Sequence, residues 1–369
     1  MTRPIYLDYA ATTPVDPAVV AAMAPWAAER FGNPHSPHRW GYEADAAIAV
    51  ARAQVAALLG VAPDTVAFTG GATEAVNWAL KGVMLAAAPG RRRLVTLATE
   101  HSCVLESARW LESVGCGLTV VGVRPDGLVE LDDLAAALGP DVALVSAMLV
   151  NNETGVIQPV AEITRLAHAT GALMHCDAAQ GVGRVACDGL GVDLLSLSGH
   201  KLYGPKGIGA LYRRAGVALV PLLHGGGQED GRSGTLSPAL CVGLGTAAQV
   251  AGERLAMDAA HVAALAARLM NGLGMPFRVA GEGAPRWPGI LNLGFDVDAT
   301  RLLVATRDVA LSTGSACASA SGRPSHVLAA MGVAGGVRLS FGRFTTAAEI
   351  DTAAAILTAA VRRLSAVAA

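Results

Sequence analysis

Long apolar runs, paired cysteines and blocks of one charge are all missing from this chain. Its longest apolar stretches, such as Val142-Ala-Leu-Val-Ser-Ala-Met-Leu-Val150, are too short to span a bilayer, and Met1 to Asp8 holds no apolar core of signal-peptide length. The expectation is a soluble, cytoplasmic protein. The formal net charge is -2 and like charges cluster only at Arg91-Arg92-Arg93, which after Pro89-Gly90 reads as a solvated loop. Nothing in that balance asks for nucleic acid or an anionic membrane as a partner. The cysteines at 103, 116, 176, 187, 241 and 317 are widely spread, without C-x-x-C spacing or histidines at zinc-finger distance, so neither a disulfide framework nor a structural metal is expected. No internal repeat, linker or low-complexity tail interrupts the chain.

What is present is a large apolar fraction, 52% of 369 residues, enough for a large core and a second, smaller domain. Between about residues 40 and 245, helix-like stretches alternate with short apolar strands. Helices are predicted over 43–59, 73–87, 104–113, 131–138 and 160–170, and strands over 65–69, 94–98, 118–123, 142–149, 173–176 and 194–197. Strands that read as unbroken apolar runs between helices predict an α/β fold with a mainly parallel sheet covered on both faces. Ligands of such sheets bind outside the carboxyl ends of the strands. Around Gly245 the pattern changes to a long alanine-rich helix through Met270, then to a less regular region and a closing amphipathic helix over 347–364. This predicts a large domain over 14–250 and a smaller one made of 1–13 and 251–369.

The chemistry is concentrated at those strand ends. Ser196 to Gly207 places Lys201 after a strand, in a turn of small and hydroxyl residues. A confined, partly desolvated lysine can lose its proton and carry a carbonyl cofactor as an imine. Upstream, Leu173-Met-His-Cys-Asp-Ala-Ala-Gln180 ends another strand in polar groups, and the pair points to pyridoxal phosphate, with Lys201 on its aldehyde and Asp177 on its ring nitrogen. Either residue alone reads equally well as a surface lysine or a strand-end cap.

Phe68-Thr-Gly-Gly-Ala-Thr-Glu-Ala75 joins a strand to a helix, so its backbone N–H groups and the Thr73 hydroxyl form a phosphate cradle, with Ser198 and His200 as further donors. A plain capping turn has the same composition. His101, in Thr99-Glu-His-Ser, is placed to stack on a pyridine ring and exchange protons, or else to cap a helix. Asn152, in Val150-Asn-Asn-Glu-Thr-Gly155, is placed to reach the cofactor's phenolic oxygen or the substrate, and Asn-Asn-Glu-x-Gly also fits a simple turn. Cys317 stands in Leu311-Ser-Thr-Gly-Ser-Ala-Cys-Ala-Ser-Ala-Ser-Gly-Arg-Pro324, a run of small residues without apolar periodicity, which suits an exposed thiol on a mobile loop over about 312–325. Arg338 lies on a strand-like stretch, where its guanidinium would clamp a carboxylate or form a structural ion pair.

The ordered set of motifs resembles the NifS/IscS-type cysteine desulfurases, the class-V aminotransferase branch of fold-type I pyridoxal phosphate enzymes. The resemblance runs from Tyr6-Leu-Asp-Tyr-Ala-Ala-Thr-Thr-Pro14 to Arg343-Phe-Thr-Thr346 and includes Phe31-Gly-Asn-Pro34, Gly71-Ala-Thr-Glu74, Asn151-Asn-Glu-x-Gly155, His175-x-Asp-x-x-Gln180, Ser198-Gly-His-Lys201, His224-Gly-Gly-Gly-Gln228, Arg232-Ser-Gly-Thr235 and Gly314-Ser-Ala-Cys317. It implies a sheet of seven strands in the large domain and a smaller α+β domain. It implies that Lys201 bears the cofactor, Asp177 keeps its ring nitrogen protonated, Gln180 and Asn152 bind its hydroxyl side, and His101 stacks on the ring. Ala72, Thr73, Ser198 and His200 would hold the phosphate, with Thr235 reaching across a homodimer from the other subunit. Arg338 with Asn33 would bind the carboxylate of L-cysteine, and Cys317 would take the sulfur as a persulfide for a protein acceptor in iron–sulfur cluster assembly or related trafficking. Selenocysteine lyase and class-V aminotransferase activities belong to the same resemblance, and a non-catalytic protein that kept the fold is opposed by the intact Lys201, Asp177, His101 and Cys317. Ala318 replaces the family's usual threonine, Gln228–Thr235 is one residue short and lacks a basic residue, and the stretch between Gly332 and Arg338 is short.

Overall fold

A computed structural model describes residues 4–314 and 325–368. Cys317 therefore lies outside the described residues. Twelve strands occur among the described residues: β1 (Ile5–Tyr6), β2 (Val66–Thr69), β3 (Arg93–Leu97), β4 (Gly117–Val121), β5 (Val142–Met148), β6 (Leu173–Asp177), β7 (Leu194–Ser198), β8 (Gly209–Arg213), β9 (Arg278–Val279), β10 (Ile290–Gly294), β11 (Val309–Ala310) and β12 (Val337–Ser340). Seven of them form the main sheet in the order β2-β8-β7-β6-β5-β3-β4. The neighbours from β7 to β4 run parallel, whereas β8 lies antiparallel to both β2 and β7.

The apolar runs of the strands are explained by burial on both faces. Successive side chains point to opposite sides, and Leu94, Leu144 and Leu194 join one buried cluster while Val95, Val145 and Leu195 join another. The helices Ala72–Ala86 and Ser102–Ser113 contribute to the first cluster, and Arg39–Leu59 and Val160–Ala169 to the second. The expected helices and strands recur within one to a few residues of their predicted limits. The strand β8 carries no helix-strand alternation around it, because it follows β7 through the short lysine turn and pairs back antiparallel.

The alanine-rich helix runs unbroken from Pro238 to Gly272, passing residue 250. Its small residues let other helices approach closely: Gly245 lies against Ala51 and Gln54 of the Arg39–Leu59 helix, and Gly272 against Ala354 of the closing helix Ala347–Ala368. Beyond it, β9, β10 and β12 form an antiparallel sheet, and β1 pairs with β11, so the first residues of the chain pack with the last third. Arg343 ties these regions together, bonding Asp16 at 2.7 Å and Asp258 of the long helix at 2.7 Å.

Candidate active site

Five chain segments end at the carboxyl edge of the main sheet, and between them opens a cavity of about 900 Å³. Its lining includes Ala72 and Thr73 after β2, His101 after β3, Asn152 after β5, Asp177 and Gln180 at the end of β6, Ser198, His200 and Lys201 after β7, and Arg338 of β12. Ten of the residues singled out in the sequence thus meet in one space. Asn33 does not: it is exposed, and its Oδ1 accepts from the His35 N–H at 3.0 Å. Thr235 is exposed and lies outside the lining as well.

Lys201 leaves β7 through a single 3-10 turn and points at the N-terminal segment, where its Nζ donates to the carbonyl of Ala10 and, at 2.7 Å, to that of Ala11. Burial, with the nearby cations Arg184 and Arg338, lowers its pKa from 10.5 to about 7. The amine is therefore close to half neutral at physiological pH. Tyr203 adopts a φ of 60°, a conformation side chains rarely take. It is held there by its N–H donating to Thr13 Oγ1 at 2.9 Å and its hydroxyl accepting from the Arg343 N–H at 2.8 Å.

Asp177 is 4% exposed, and its Oδ1 accepts from the Ala179 N–H at 3.0 Å. Burial raises its pKa, opposed by His101 and Lys201. His101 caps the helix Ser102–Ser113, with Nδ1 accepting from the Cys103 N–H at 3.2 Å, which leaves the proton of the neutral ring on Nε2. Burial lowers the His101 pKa, and Asp177 acts in the opposite sense. His200 is pushed down to about 4 by burial and by Lys201 and Lys206, so its imidazole is neutral. The Cys103 thiol also lines the cavity, but burial raises its pKa far above neutrality, so it stays protonated and a poor nucleophile.

The residues present fit pyridoxal phosphate. The helix Ala72–Ala86 begins at Gly71, φ 148°, without a side-chain cap, so its first N–H groups are free at the cavity for a phosphate. Strand β8 starts tightly against that turn, since a Cβ on Gly209 would stand 2.7 Å from the Gly71 Cα. Asn152 Oδ1 is buried without a partner, which is the acceptor a ring hydroxyl needs. Among the described residues no Lys, Arg or His nitrogen lies within ion-pair distance of the buried Asp177 carboxylate, and a protonated pyridine nitrogen would supply that partner.

Arg338 is 1% exposed, donates to Asp8 Oδ1 at 2.8 Å and to the Asn152 carbonyl at 2.9 Å, and keeps a buried Nε without a partner. Sequence reasoning missed the wall opposite Lys201, made of Ala10, Ala11 and Thr12. Ala10 O accepts from Gln180 Nε2 at 2.8 Å, and Thr12 Oγ1 lies 3.2 Å from His200 Nδ1. Backbone carbonyls carry no residue-type signature, so only the fold could reveal them.

Residues 5–352 match the model of the aminotransferase class-V family. Cysteine desulfurase IscS of Rickettsia akari (strain Hartford) is 44% identical over 99% of this chain and 92% of its own length. A cysteine desulfurase of Homo sapiens is 46% identical over 95% of this chain and 80% of its own. Among solved structures, a NifS-like protein superposes with a TM-score of 0.91 at 36% identity, covering 98% of this chain and 100% of that one. SspA in complex with cysteine superposes with a TM-score of 0.83, also at 36% identity, covering 93% and 100%.

Proposed function

The chain belongs to the aminotransferase class-V family and is a pyridoxal-phosphate-dependent cysteine desulfurase, and on that premise we propose how its own residues divide the work. The supporting observation is that a lysine with a pKa of about 7 and a buried carboxylate, Asp177, open from adjacent strands into one cavity.

Pyridoxal phosphate, when bound, supplies the electron sink that weakens the Cα–H bond of the substrate. Thr73, Ser198, His200 and the N–H groups from Ala72 onward hold its phosphate, and Asp177 and Asn152 its ring. Gln180, already engaged with Ala10, fixes the N-terminal wall. Lys201 would carry the cofactor, and its free Nζ, with a pKa of about 7, can take the Cα proton near neutral pH. Arg338 binds the carboxylate of L-cysteine, its guanidinium oriented by Asp8. His101 holds or moves the thiol proton at Nε2.

The Cys317 thiolate attacks the sulfur of the bound cysteine: an S–S bond forms, the substrate Cβ–S bond breaks, and the electron pair left on Cβ takes up a proton on the way to alanine. A persulfide remains on Cys317 and passes to an acceptor of the kind that feeds iron–sulfur assembly. The 14–250 and 1–13 plus 251–369 division, a homodimer in which Thr235 crosses to the other subunit, the Asn33 contact and a cytoplasmic location complete this proposal. Exposure of Thr235 on a separate surface is compatible with service to a second subunit. No helix among the described residues is long and apolar enough to cross a membrane.

The test is single-turnover chemistry on the holoenzyme with L-cysteine, quantifying alanine and weighing the Cys317 peptide. Wild type gains one sulfur on that peptide with stoichiometric alanine, and Cys317→Ser yields neither. Alanine at an unchanged rate in Cys317→Ser would refute the assignment of the thiol.

A further inference from the structure

Glu153 is absorbed by none of the roles above, although it is fully buried, at 0% exposure, immediately after Asn152. Its backbone N–H donates to Asn151 Oδ1 at 2.9 Å, and the Asn151 amide donates to the Thr99 carbonyl at 3.0 Å. The turn that carries Glu153 is thereby fastened to the strand end that carries His101. The Glu153 carboxylate itself faces the two described residues that flank the Cys317 segment. Ser325 Oγ donates to Glu153 Oε2 at 2.5 Å, and a Cβ built on Gly314 would stand 3.1 Å from that same oxygen.

Neighbouring bonds anchor the same flanks. Ser312 exchanges backbone hydrogen bonds with Arg338, 2.5 Å and 3.2 Å long, and its Oγ donates to the Gly314 carbonyl at 2.9 Å. On the other side His326 Nε2 lies 2.8 Å from the carbonyl of Glu100, the residue before His101. Both flanks are therefore registered against the elements that present Asn152, His101 and Arg338 to the cavity.

Geometry makes this registration consequential. Cys317 is three residues past Gly314, and three extended residues span at most roughly 11 Å. Where Gly314 is held therefore bounds where the Cys317 sulfur can go. Displacing a reacting group by about 1 Å costs on the order of 100-fold in rate.

We propose that Glu153 is a positioning residue for sulfur transfer: by meeting Gly314 and Ser325 at one carboxylate oxygen, it sets the point from which Cys317 reaches the substrate. It takes no part in binding the cofactor or cysteine. The inference rests on Cys317 as the sulfur-accepting thiol.

The experiment compares wild-type holoenzyme with Glu153→Gln, Ser325→Ala and Ser325→Thr. Persulfide formation on Cys317 is followed in single turnover, and cysteine affinity by spectral titration of the bound cofactor. Glu153→Gln and Ser325→Ala are expected to slow persulfide formation about 10-fold or more, with cysteine affinity within about twofold of wild type. Ser325→Thr, which keeps the hydroxyl, is expected to retain most of the rate. Should either slow variant fail to fold, seen as a lost urea transition, the other carries the test. Wild-type persulfide rates in both Glu153→Gln and Ser325→Ala would overturn the proposal, as would a parallel loss of cysteine affinity. Absence of any Cys317 persulfide in wild type would instead overturn the underlying assignment and this inference with it, a distinguishable pattern.

Discussion

Replacing Lys201 by methionine should make the cofactor-free protein more stable at neutral pH and less stable at high pH. The native lysine has a pKa of about 7 against 10.5 for the ordinary group. Between those values the unfolded chain binds the extra proton, so wild-type stability climbs with pH, and below about 7 both states are protonated and the whole penalty of burying the cation is present. The climb amounts to about 1.4 kcal/mol per pH unit, or roughly 5 kcal/mol in all. Methionine fills similar space and never charges, but it leaves the Ala10 and Ala11 carbonyls without the Nζ donor, at about 1 kcal/mol each and independent of pH. The Lys201→Met apoprotein should then exceed wild type by about 3 kcal/mol at pH 6.5, and the two should cross near pH 9, as these terms balance. Urea unfolding of both apoproteins at matched protomer concentration from pH 6.5 to 10 measures the difference. Two stability curves that run parallel across this range would refute a depressed lysine, whatever their offset.

Asp177→Asn removes the buried partner of a protonated ring nitrogen, a loss of roughly 3–5 kcal/mol, so single-turnover alanine formation should fall by about 150- to 5,000-fold. Rates within tenfold of wild type would show that Asp177 is only a strand-end cap. Gly209→Ala places a Cβ 2.4 Å from the Leu197 carbonyl and 2.7 Å from the Gly71 Cα, so urea unfolding should report a loss of about 1–3 kcal/mol. Phosphate-dependent cofactor retention should weaken with it, and an unchanged unfolding midpoint would mean that the turn has more room than the backbone geometry allows.

The parallel sheet and most of the site could be read directly from the sequence. A strand buried on both faces must be apolar along its length, and Val142–Met148 is buried at every position. Polar residues just past such runs, Asp177, Lys201, His101 and Asn152, therefore mark where the chain leaves the core, and the parallel arrangement brings those exits to one edge. Chemically distinctive side chains at strand ends are thus legible, because local periodicity fixes where each strand stops.

Contacts between segments distant in the chain were not legible. Strand β8 left no helical alternation because it returns antiparallel, and the N-terminal wall bonds to Lys201 through carbonyls that every residue possesses. Asn33 and Thr235 sit in recognisable motifs, yet both are exposed and outside the cavity of this protomer. Glu153 looked like part of a turn, and its meeting with Ser325, 172 positions later, has no local signature. The sequence by itself determined which residues leave the core at strand ends, since burial on a two-sided sheet imposes a period that any short window displays. Only the tertiary structure decided the pKa of Lys201, the pairing of Arg338 with Asp8 and the convergence on Glu153, because desolvation and hydrogen bonding depend on neighbours that the chain brings together only when it folds.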